Sequence, residues 1–155
     1  MNEYLAKLDK LVDTVEDIGR LPEQPLVSVW MITYNHERYI RQALDGILMQ
    51  EVDFSYEIVI GEDKSTDGTR EIVCEYQRKH PDKIRLRLSR ENLWSHKLKN
   101  GVGVLAACHG KYIAFCEGDD YWTDPKKLQK QVAVLETEPE ISACYTNAAV
   151  ENENG

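Results

Sequence analysis

The chain has 155 residues, of which 42% are hydrophobic and 30% are charged, and its formal net charge is −8. This balance predicts one folded domain with a hydrophobic core and excludes a disordered chain. The negative charge argues against nucleic-acid binding through a basic groove, and no apolar run approaches the length that a membrane span needs.

The cysteines and histidines predict neither a disulfide framework nor a zinc centre. The four cysteines are widely spaced in apolar or helical surroundings, and the four histidines form no pair at ligand spacing with one another or with a cysteine. The N-terminus mixes acidic and basic residues and lacks the apolar core of a signal peptide. We therefore expect reduced, buried thiols in a cytoplasmic protein.

The first third of the chain predicts a helix, a linker, a strand and a second helix. Leucine, valine and isoleucine recur at helical spacing over residues 3–18, which predicts an amphipathic helix. Pro22 and Pro25 mark a linker, so we expect residues 1–25 to form a helix-and-linker segment ahead of the domain. Residues 26–33, LVSVWMIT, predict the first strand, and Asn35 is a candidate N-cap for the helix after it.

The middle third continues the same alternation. Residues 56–62 predict the second strand, and Thr66 and Asp67 are candidate caps for the helix that follows. Residues 84–88 alternate between apolar and polar side chains, which predicts a third strand with one polar face. The next helical pattern ends at Gly110, a residue type that favours a helix C-terminus.

The last third predicts two strands with a helix between them. Residues 111–117 are expected to form the fourth strand, and residues 141–145 the fifth. Asp124 and Pro125 suit the start of the helix between them, with Asp124 as its cap and Pro125 in its first turn.

The alternation of strands and helices predicts an α/β fold with a mainly parallel sheet and helices on both faces. Apolar runs in the first, second and fourth strands indicate that both faces of these strands are covered. We expect the domain to span residues 26–150 and to be followed by a polar tail at residues 151–155.

Polar and acidic residues follow several of these strands. In an open α/β sheet, ligands bind at the carboxyl ends of the strands, so these residues are expected to converge on one edge. Clustered carboxylates repel one another unless a cation is present, and their oxygens suit Mg²⁺ or Mn²⁺. Glu117 and Asp119 are two residues apart, so an extended backbone would direct both the same way. The residues at these strand ends are Thr33, Tyr34, Asn35, Glu62, Asp63, Ser65, Asp67, Glu117, Asp119 and Asp120.

A simpler interpretation exists for each of these residues. An acidic loop after a strand is often only a solvated turn, and Asp63 and Asp67 could be turn and cap residues. Tyr34, Tyr121 and Trp122 could pack in the core or at its rim. Lys97 and Lys99 could lie on a solvated helix face, which we favour for Lys97. Two acid-rich loops at neighbouring strand ends favour a ligand site over two unrelated turns.

Three stretches in this order resemble the family 2 glycosyltransferases with the GT-A fold, over about residues 26–146. They are VSVWMITYNHERYIRQALDGILMQ, YEIVIGEDKSTDGTREIV and GKYIAFCEGDDYWTDPKKLQKQV. The resemblance implies a Rossmann-like domain that transfers a hexosyl or related sugar from a UDP-sugar to an acceptor hydroxyl, with inversion and with Mn²⁺ or Mg²⁺. It also implies a role in cell-surface polysaccharide synthesis, with a glycan or a lipid-linked acceptor at the membrane periphery.

The resemblance also implies roles for individual residues. The nucleotide-binding residues would be Thr33, Tyr34, Glu37, Asp63, Lys99 and Glu117, and the metal ligands would be Asp119 and Glu117. Glutamate at position 117 departs from the commoner aspartate, so this side chain could contact the ribose or a metal-bound water. Family members carry the general base in an acceptor-binding half, which we expect beyond Gly155. This chain would then bind the donor, transfer sugar poorly by itself and self-associate through apolar surface.

Other functions remain open at this point. A sugar nucleotidyltransferase would share the sheet but is expected to carry a glycine-rich loop after the first strand, where TYNHERY has no glycine. The same stretch lacks the G-x-G-x-x-G of a dehydrogenase. A phospho-acceptor domain would have an acid at the end of the first strand. A non-catalytic nucleotide-sugar-binding module stays possible.

Overall fold

A computed structural model describes residues 1–151 and contains a five-stranded sheet in that part of the chain. The order of strands across the sheet is β1-β4-β3-β2-β5, and β1 is antiparallel whereas the other pairs are parallel. The strands are β1 Val12–Val15, β2 Val27–Thr33, β3 Tyr56–Glu62, β4 Ile84–Ser89 and β5 Tyr112–Phe115. The helices are α1 Asn2–Asp9, α2 Ile40–Leu48, α3 Thr69–Lys79, α4 Asn100–Ala106 and α5 Lys127–Thr137, with a 3₁₀ helix at Leu93–His96.

One face of the sheet carries the main hydrophobic core. Alternate side chains of β2, β3 and β4 point to this face and pack against the apolar sides of α2, α3 and α5. Met31, Ile58 and Leu86 lie on neighbouring strands and are fully buried there. The predicted α/β fold, with a mainly parallel sheet and helices on both faces, is therefore confirmed.

The opposite face is covered by α4 and α1 and is unusually polar for a buried surface. Ser28, Glu57 and Ser89 point to it and are fully buried. Side chains of α4 pack directly on β3, because a Cβ added to Gly61 would lie 2.4 Å from Cγ2 of Val104. Glycine at this position therefore lets α4 approach the carboxyl half of β3.

The predicted helix over residues 3–18 forms only in its first part, and its second part is wrong. Helix α1 ends at Asp9, and Val12–Val15 instead form an edge strand that pairs with β4. The pairing is reinforced by a hydrogen bond of 2.7 Å from Arg90 N to the carbonyl of Leu11 and by an ion pair between Arg90 and Asp13. Tertiary pairing with the open edge of β4 overrides the helical spacing. We call residues 2–15 the N-terminal annex.

The predicted strand at residues 141–145 is also wrong, because these residues form no regular structure. The segment instead contacts α5, because Gln131 Nε2 in that helix donates to the carbonyl of Cys144 over 3.4 Å. Tyr145 is 93% exposed, so the apolar residues of this stretch are not gathered into the core.

The predicted fourth strand is shorter than expected and is not covered on both faces. Strand β5 spans only Tyr112–Phe115, lies at the edge of the sheet and leaves Phe115 64% exposed. An apolar run alone could not distinguish this edge position from a central one.

The predicted helix boundaries are partly corrected. Helix α2 begins at Ile40 and not at Asn35, whose φ of 55° places it in a left-handed turn. The N-cap of α3 is Gly68 and neither Thr66 nor Asp67, although Asp67 Oδ1 accepts a 3.0 Å hydrogen bond from Thr69 N beside the start of the helix. Thr66 N donates to Asn35.

The two later helices also differ at their ends. Helix α4 ends at Ala106, before Gly110, and α5 begins at Lys127 with Asp124 accepting from the backbone of Lys126. All four cysteines are free, but only Cys116 is buried, so the expectation of buried thiols is wrong for the other three. Of the predicted polar tail, only Glu151 lies within the described residues. Over residues 1–151, no helix is both long and apolar enough to cross a membrane.

Candidate functional site

A cleft of about 640 Å³ opens at the carboxyl ends of the central strands, between β2, β5, α4 and the 3₁₀ helix. Parallel strands place their following loops at this edge, which is why residues far apart in the sequence meet here. Its lining is Trp30, Ile32, Thr33, Tyr34, His36, Asp63, Trp94, Leu98, Lys99, Asn100, Gly101, Val102, Leu105, Phe115 and Glu117.

Most of the site residues expected from the sequence line this cleft, and two do not. Those that line it are Thr33, Tyr34, Asp63, Lys99 and Glu117. Asp119 lies just beyond the lining, two residues after Glu117, and Glu37 lies on the far side of the β2 loop. The cleft thus brings together acids from two strand ends and a lysine from the start of α4.

Asp63 is half-buried, and both of its carboxylate oxygens already have partners. Oδ1 accepts a 2.8 Å hydrogen bond from Leu93 N, and Oδ2 accepts a 3.3 Å hydrogen bond from Asn92 Nδ2. Burial raises the pKa of Asp63 above its ordinary value, although the hydrogen bonds from the backbone of Leu93 and Trp94 oppose this shift. Asp63 therefore fixes the 3₁₀ helix that carries Trp94, whose side chain is 77% exposed.

The turn after β5 rests directly on the end of β2. Gly118 N donates to the carbonyl of Ile32 over 3.0 Å. A Cβ on Gly118 would lie 2.6 Å from Thr33 Oγ1 and 2.8 Å from His36 Nδ1. Glycine at this position therefore lets the turn pack directly against these two side chains. Those two polar atoms are buried and have no hydrogen-bond partner within residues 1–151. The arrangement brings Glu117 and Asp119 to the margin of the cleft.

Asp119, expected from the sequence to be a metal ligand, is an exposed acid in the turn after β5. Its side chain is 49% exposed, and its Oδ2 lies 3.7 Å from His36 Nε2. In residues 1–151, no group of three or more His, Cys, Asp or Glu side chains could together hold a metal ion. An ion here would need most of its ligands from a bound molecule or water, which suits Mg²⁺ or Mn²⁺ beside a diphosphate.

Glu37 joins two loops and does not face the cleft. Its Oε2 accepts a 3.0 Å hydrogen bond from Gly68 N, and its backbone N–H donates to Asp67 Oδ2 over 3.1 Å. Burial tends to raise the pKa of Asp67, but the hydrogen bonds from Thr69 and Glu37 outweigh it and leave the pKa lowered. These contacts hold the β2 loop against the start of α3.

Glu62 illustrates an acid at a strand end with a purely internal role. Its side chain is fully buried, pairs with Arg70 and accepts a hydrogen bond from Ser65 N. Asp120 is exposed and lies outside the cleft lining. Among the acids at the ends of β3 and β5, Glu62 is therefore neutralised inside the fold, whereas Glu117, Asp119 and Asp120 are exposed.

The sequence did not single out the apolar wall of the cleft or His36. Trp30 packs edge-to-face on Phe115 with ring centroids 5.3 Å apart, and its Nε1 donates to the carbonyl of Gly101 over 2.9 Å. Trp94 could have been proposed from the sequence, because it is a large aromatic residue in the mostly polar loop after β4. Trp122, by contrast, is buried against α2, as the simpler interpretation of that residue predicted.

Comparison with protein families and sequences agrees with this geometry. The family model described as glycosyl transferase family 2 matches residues 28–155. An uncharacterised protein of Mycobacterium tuberculosis is 45% identical over 129 residues, which is 83% of this chain and 37% of that protein. EpsE of Bacillus subtilis, which is named as a glycosyltransferase, is 35% identical over 132 residues, 84% of this chain and 46% of that protein. The chain thus spans about a third to a half of the length of these relatives.

Solved structures show the same architecture. TarS 1–349 of S. aureus in complex with UDP has a TM-score of 0.61 and 28% identity, covering 73% of this chain and 32% of that chain. The mannosyltransferase PcManGT of Pyrobaculum calidifontis in complex with GDP-Man and Mn²⁺ has a TM-score of 0.60 and 25% identity, covering 86% and 39%. With the family match spanning most of its residues and its sheet shared with these enzymes, the chain belongs to glycosyl transferase family 2 and has the GT-A fold.

Proposed function

We propose that this chain binds the nucleotide-sugar donor, a UDP-sugar, of an inverting and metal-dependent glycosyltransferase. The observation that carries the proposal is the cleft at the carboxyl ends of β2 and β3, where Tyr34, Asp63, Lys99 and Glu117 meet. Support also comes from the similar structures, which were solved with UDP and with GDP-Man and Mn²⁺.

The nucleoside would occupy the part of the cleft between Tyr34 and Asp63. The Tyr34 ring is 43% exposed and offers a flat apolar surface to a base. Asp63 can accept a further hydrogen bond, because each carboxylate oxygen has more than one acceptor position. Thr33 and Glu37 would act from behind this surface, by supporting the β2 loop.

The diphosphate would lie between Lys99 and the Glu117–Asp119 turn. Lys99 is the one Lys or Arg among the described residues that line the cleft, so it can pair with phosphate oxygens. Asp119 would hold Mn²⁺ or Mg²⁺, with Glu117 at the ribose or at a metal-bound water. When bound, the ion stabilises the negative charge that builds on the departing diphosphate.

The sugar would be transferred to an acceptor hydroxyl that attacks from the face opposite the diphosphate, which gives inversion. We assign donor binding to this chain and assign no general base among its residues. The proposed acceptor is a glycan or a lipid-linked sugar at the cytoplasmic side of a membrane, in the synthesis of a cell-surface polysaccharide.

Calorimetry with UDP and GDP tests the proposal directly. UDP should bind weakly in EDTA and more tightly with Mn²⁺ or Mg²⁺, and Asp119→Ala should remove most of the gain. Asp53→Ala is the matched control, because Asp53 is an exposed acid in the loop before β3, at the opposite end of the sheet. Equal UDP affinity with EDTA and with Mn²⁺ would contradict the metal role, and no binding of either nucleotide would contradict the proposal.

A further inference from the structure

The N-terminal annex, residues 2–15, lies outside the part of the chain that matches the family model. It nevertheless contacts the cleft wall formed by the 3₁₀ helix and the start of α4. This wall carries Trp94, Leu98 and Lys99, which all line the cleft. The annex thus precedes the family match in the sequence and touches residues proposed to bind the donor.

The apolar contact between annex and wall is a small, separate cluster. Leu8, Val12 and Leu93 are buried in it, at 1%, 8% and 0% exposure. Tyr4 and Leu98 pack against the cluster and are partly buried. Leu93 is the first residue of the 3₁₀ helix, so this cluster holds the base of the segment on which Trp94 projects into the cleft.

The polar contact between annex and wall is a single hydrogen bond at the start of α4. Lys99 N donates to the hydroxyl oxygen of Tyr4 over 2.6 Å. Lys99 is the N-cap of α4, and its side chain makes no capping hydrogen bond. The backbone N–H groups at a helix start have no partner within the helix, so Tyr4 supplies one that the helix cannot.

The annex is itself anchored to the sheet, which allows it to hold the wall in place. Arg87 Nη2 donates to Asp9 Oδ1 over 2.8 Å at the end of α1. Arg90, the residue after β4, pairs with Asp13, and β1 is paired with β4 along the whole length of β1. Tyr4 is thus fixed relative to β4 at one end and to Lys99 at the other.

We propose that Tyr4 is a positioning residue for the donor: through its hydroxyl it holds Lys99 where the lysine ammonium meets the donor's diphosphate. This inference rests on the proposed function, because it assigns Tyr4 a role in binding the same ligand. It predicts a selective effect. Loss of the hydroxyl should weaken ligands that carry a diphosphate and leave the nucleoside alone almost unaffected.

The experiment compares UDP and uridine on the full 155-residue chain by calorimetry. Tyr4→Phe keeps the ring and removes the hydroxyl, and we expect about three- to tenfold weaker UDP binding with uridine binding unchanged. Tyr145→Phe, at a side chain that is 93% exposed, is the matched control and should change neither affinity.

A double-mutant cycle separates positioning from a general loss of stability. If Tyr4 acts through the Lys99 side chain, Tyr4→Phe should add little in a Lys99→Ala background, because the group that it positions is already gone. Additive effects of the two changes, or an equal loss of UDP and uridine affinity, would overturn the inference.

Amide hydrogen exchange gives a measurement that needs no nucleotide. The Lys99 amide is the donor to Tyr4, so its exchange should be faster in Tyr4→Phe than in the wild type, while amides of β3 exchange as before. Unchanged exchange at Lys99 would overturn the inference whatever the nucleotide results are. A wild-type chain that binds no UDP would instead contradict the proposed function.

Discussion

The two ends of the sheet use the same kind of side chain in opposite ways. Near the amino end of β3, Glu57 is fully buried and its Oε1 accepts 2.7 Å hydrogen bonds from Ser28 Oγ and His109 N. Its other oxygen lies 3.6 Å from Arg85. At the carboxyl end, Glu117 and Asp119 are exposed, and within residues 1–151 neither forms an ion pair with a lysine or arginine.

This difference indicates how an acid near a strand end can be interpreted. A buried carboxylate is stable only when other groups in the protein neutralise and hydrogen-bond it, so Glu57 serves the fold. A carboxylate that keeps its charge beside a cleft, without such partners, is available to a ligand. The substitutions below should therefore separate into effects on stability and effects on binding.

The largest expected effect is on stability and comes from the amino end. Glu57→Ala removes the buried carboxylate that accepts from Ser28 Oγ and His109 N, and it takes one of two acids from Arg85, which keeps its pair with Glu16. We expect the free energy of unfolding to fall by about 2–4 kcal/mol, measured by urea denaturation, because two donors lose their buried acceptor. Glu136→Ala removes an acid from an exposed pair with Lys111 and should change stability far less. Equal losses in the free energy of unfolding for Glu57→Ala and Glu136→Ala would contradict the assignment of Glu57 to the stability of the fold.

The next effect is on binding and comes from Asp63. Asp63→Ala removes an acceptor that is proposed to face the nucleoside and releases the backbone of the 3₁₀ helix. UDP affinity should fall by about 1–3 kcal/mol in calorimetry, with EDTA as well as with Mn²⁺. A loss seen only with Mn²⁺ would show that Asp63 acts through the metal and not on the nucleoside.

A smaller effect is expected from the turn that sits on Thr33 and His36. Gly118→Ala forces the turn away from β2, which should displace Asp119 and reduce the Mn²⁺-dependent share of UDP binding. The free energy of unfolding should fall by about 1 kcal/mol, because the added methyl group can be relieved at the cleft margin. Gly19→Ala is the control, since its nearest neighbouring atom would be 3.6 Å away. Unchanged metal dependence in Gly118→Ala would contradict the role of the turn.

The smallest effect is a pH dependence of stability. Burial raises the pKa of Asp63 above its ordinary value of 3.8, so the folded protein holds this proton more tightly than the unfolded chain does. The resulting stabilisation is present below that ordinary value and is lost as the pH rises through the raised one. The wild type should therefore lose stability relative to Asp63→Asn as the pH rises through this window. The measurement is the urea midpoint of both proteins below the ordinary pKa and above the raised pKa of Asp63. A change in the opposite direction would contradict the sign of the shift.

The sequence predicted the centre of the sheet well because burial on both faces leaves a clear pattern. β2 and β3 are mostly apolar, with Ser28 and Glu57 as buried exceptions, and their observed bounds agree with the prediction to within one residue. The edges were predicted poorly. Val12 and Val15 fit a helical spacing as well as a strand, and only the open edge of β4 decides between them.

The candidate site divides in a similar way. The positions of Asp63 and Glu117 in one cleft follow from the parallel arrangement of the central strands, which the alternating pattern predicted. The internal role of Glu62 depends on Arg70, which only the folded chain brings to it. Likewise His36 lies under Gly118 because two loops meet, and no local pattern in the sequence carries that information.

The antiparallel pairing of β1 with β4 has a consequence for how the protein folds and opens. The two strands are distant in sequence, so their pairing closes a long loop and is expected late in folding, after the parallel centre has formed. The annex buries few apolar side chains of its own, and it should detach at a lower free energy than global unfolding requires. Warming or mild denaturant would then loosen the wall bearing Trp94 and Lys99 while the sheet beneath it stays intact.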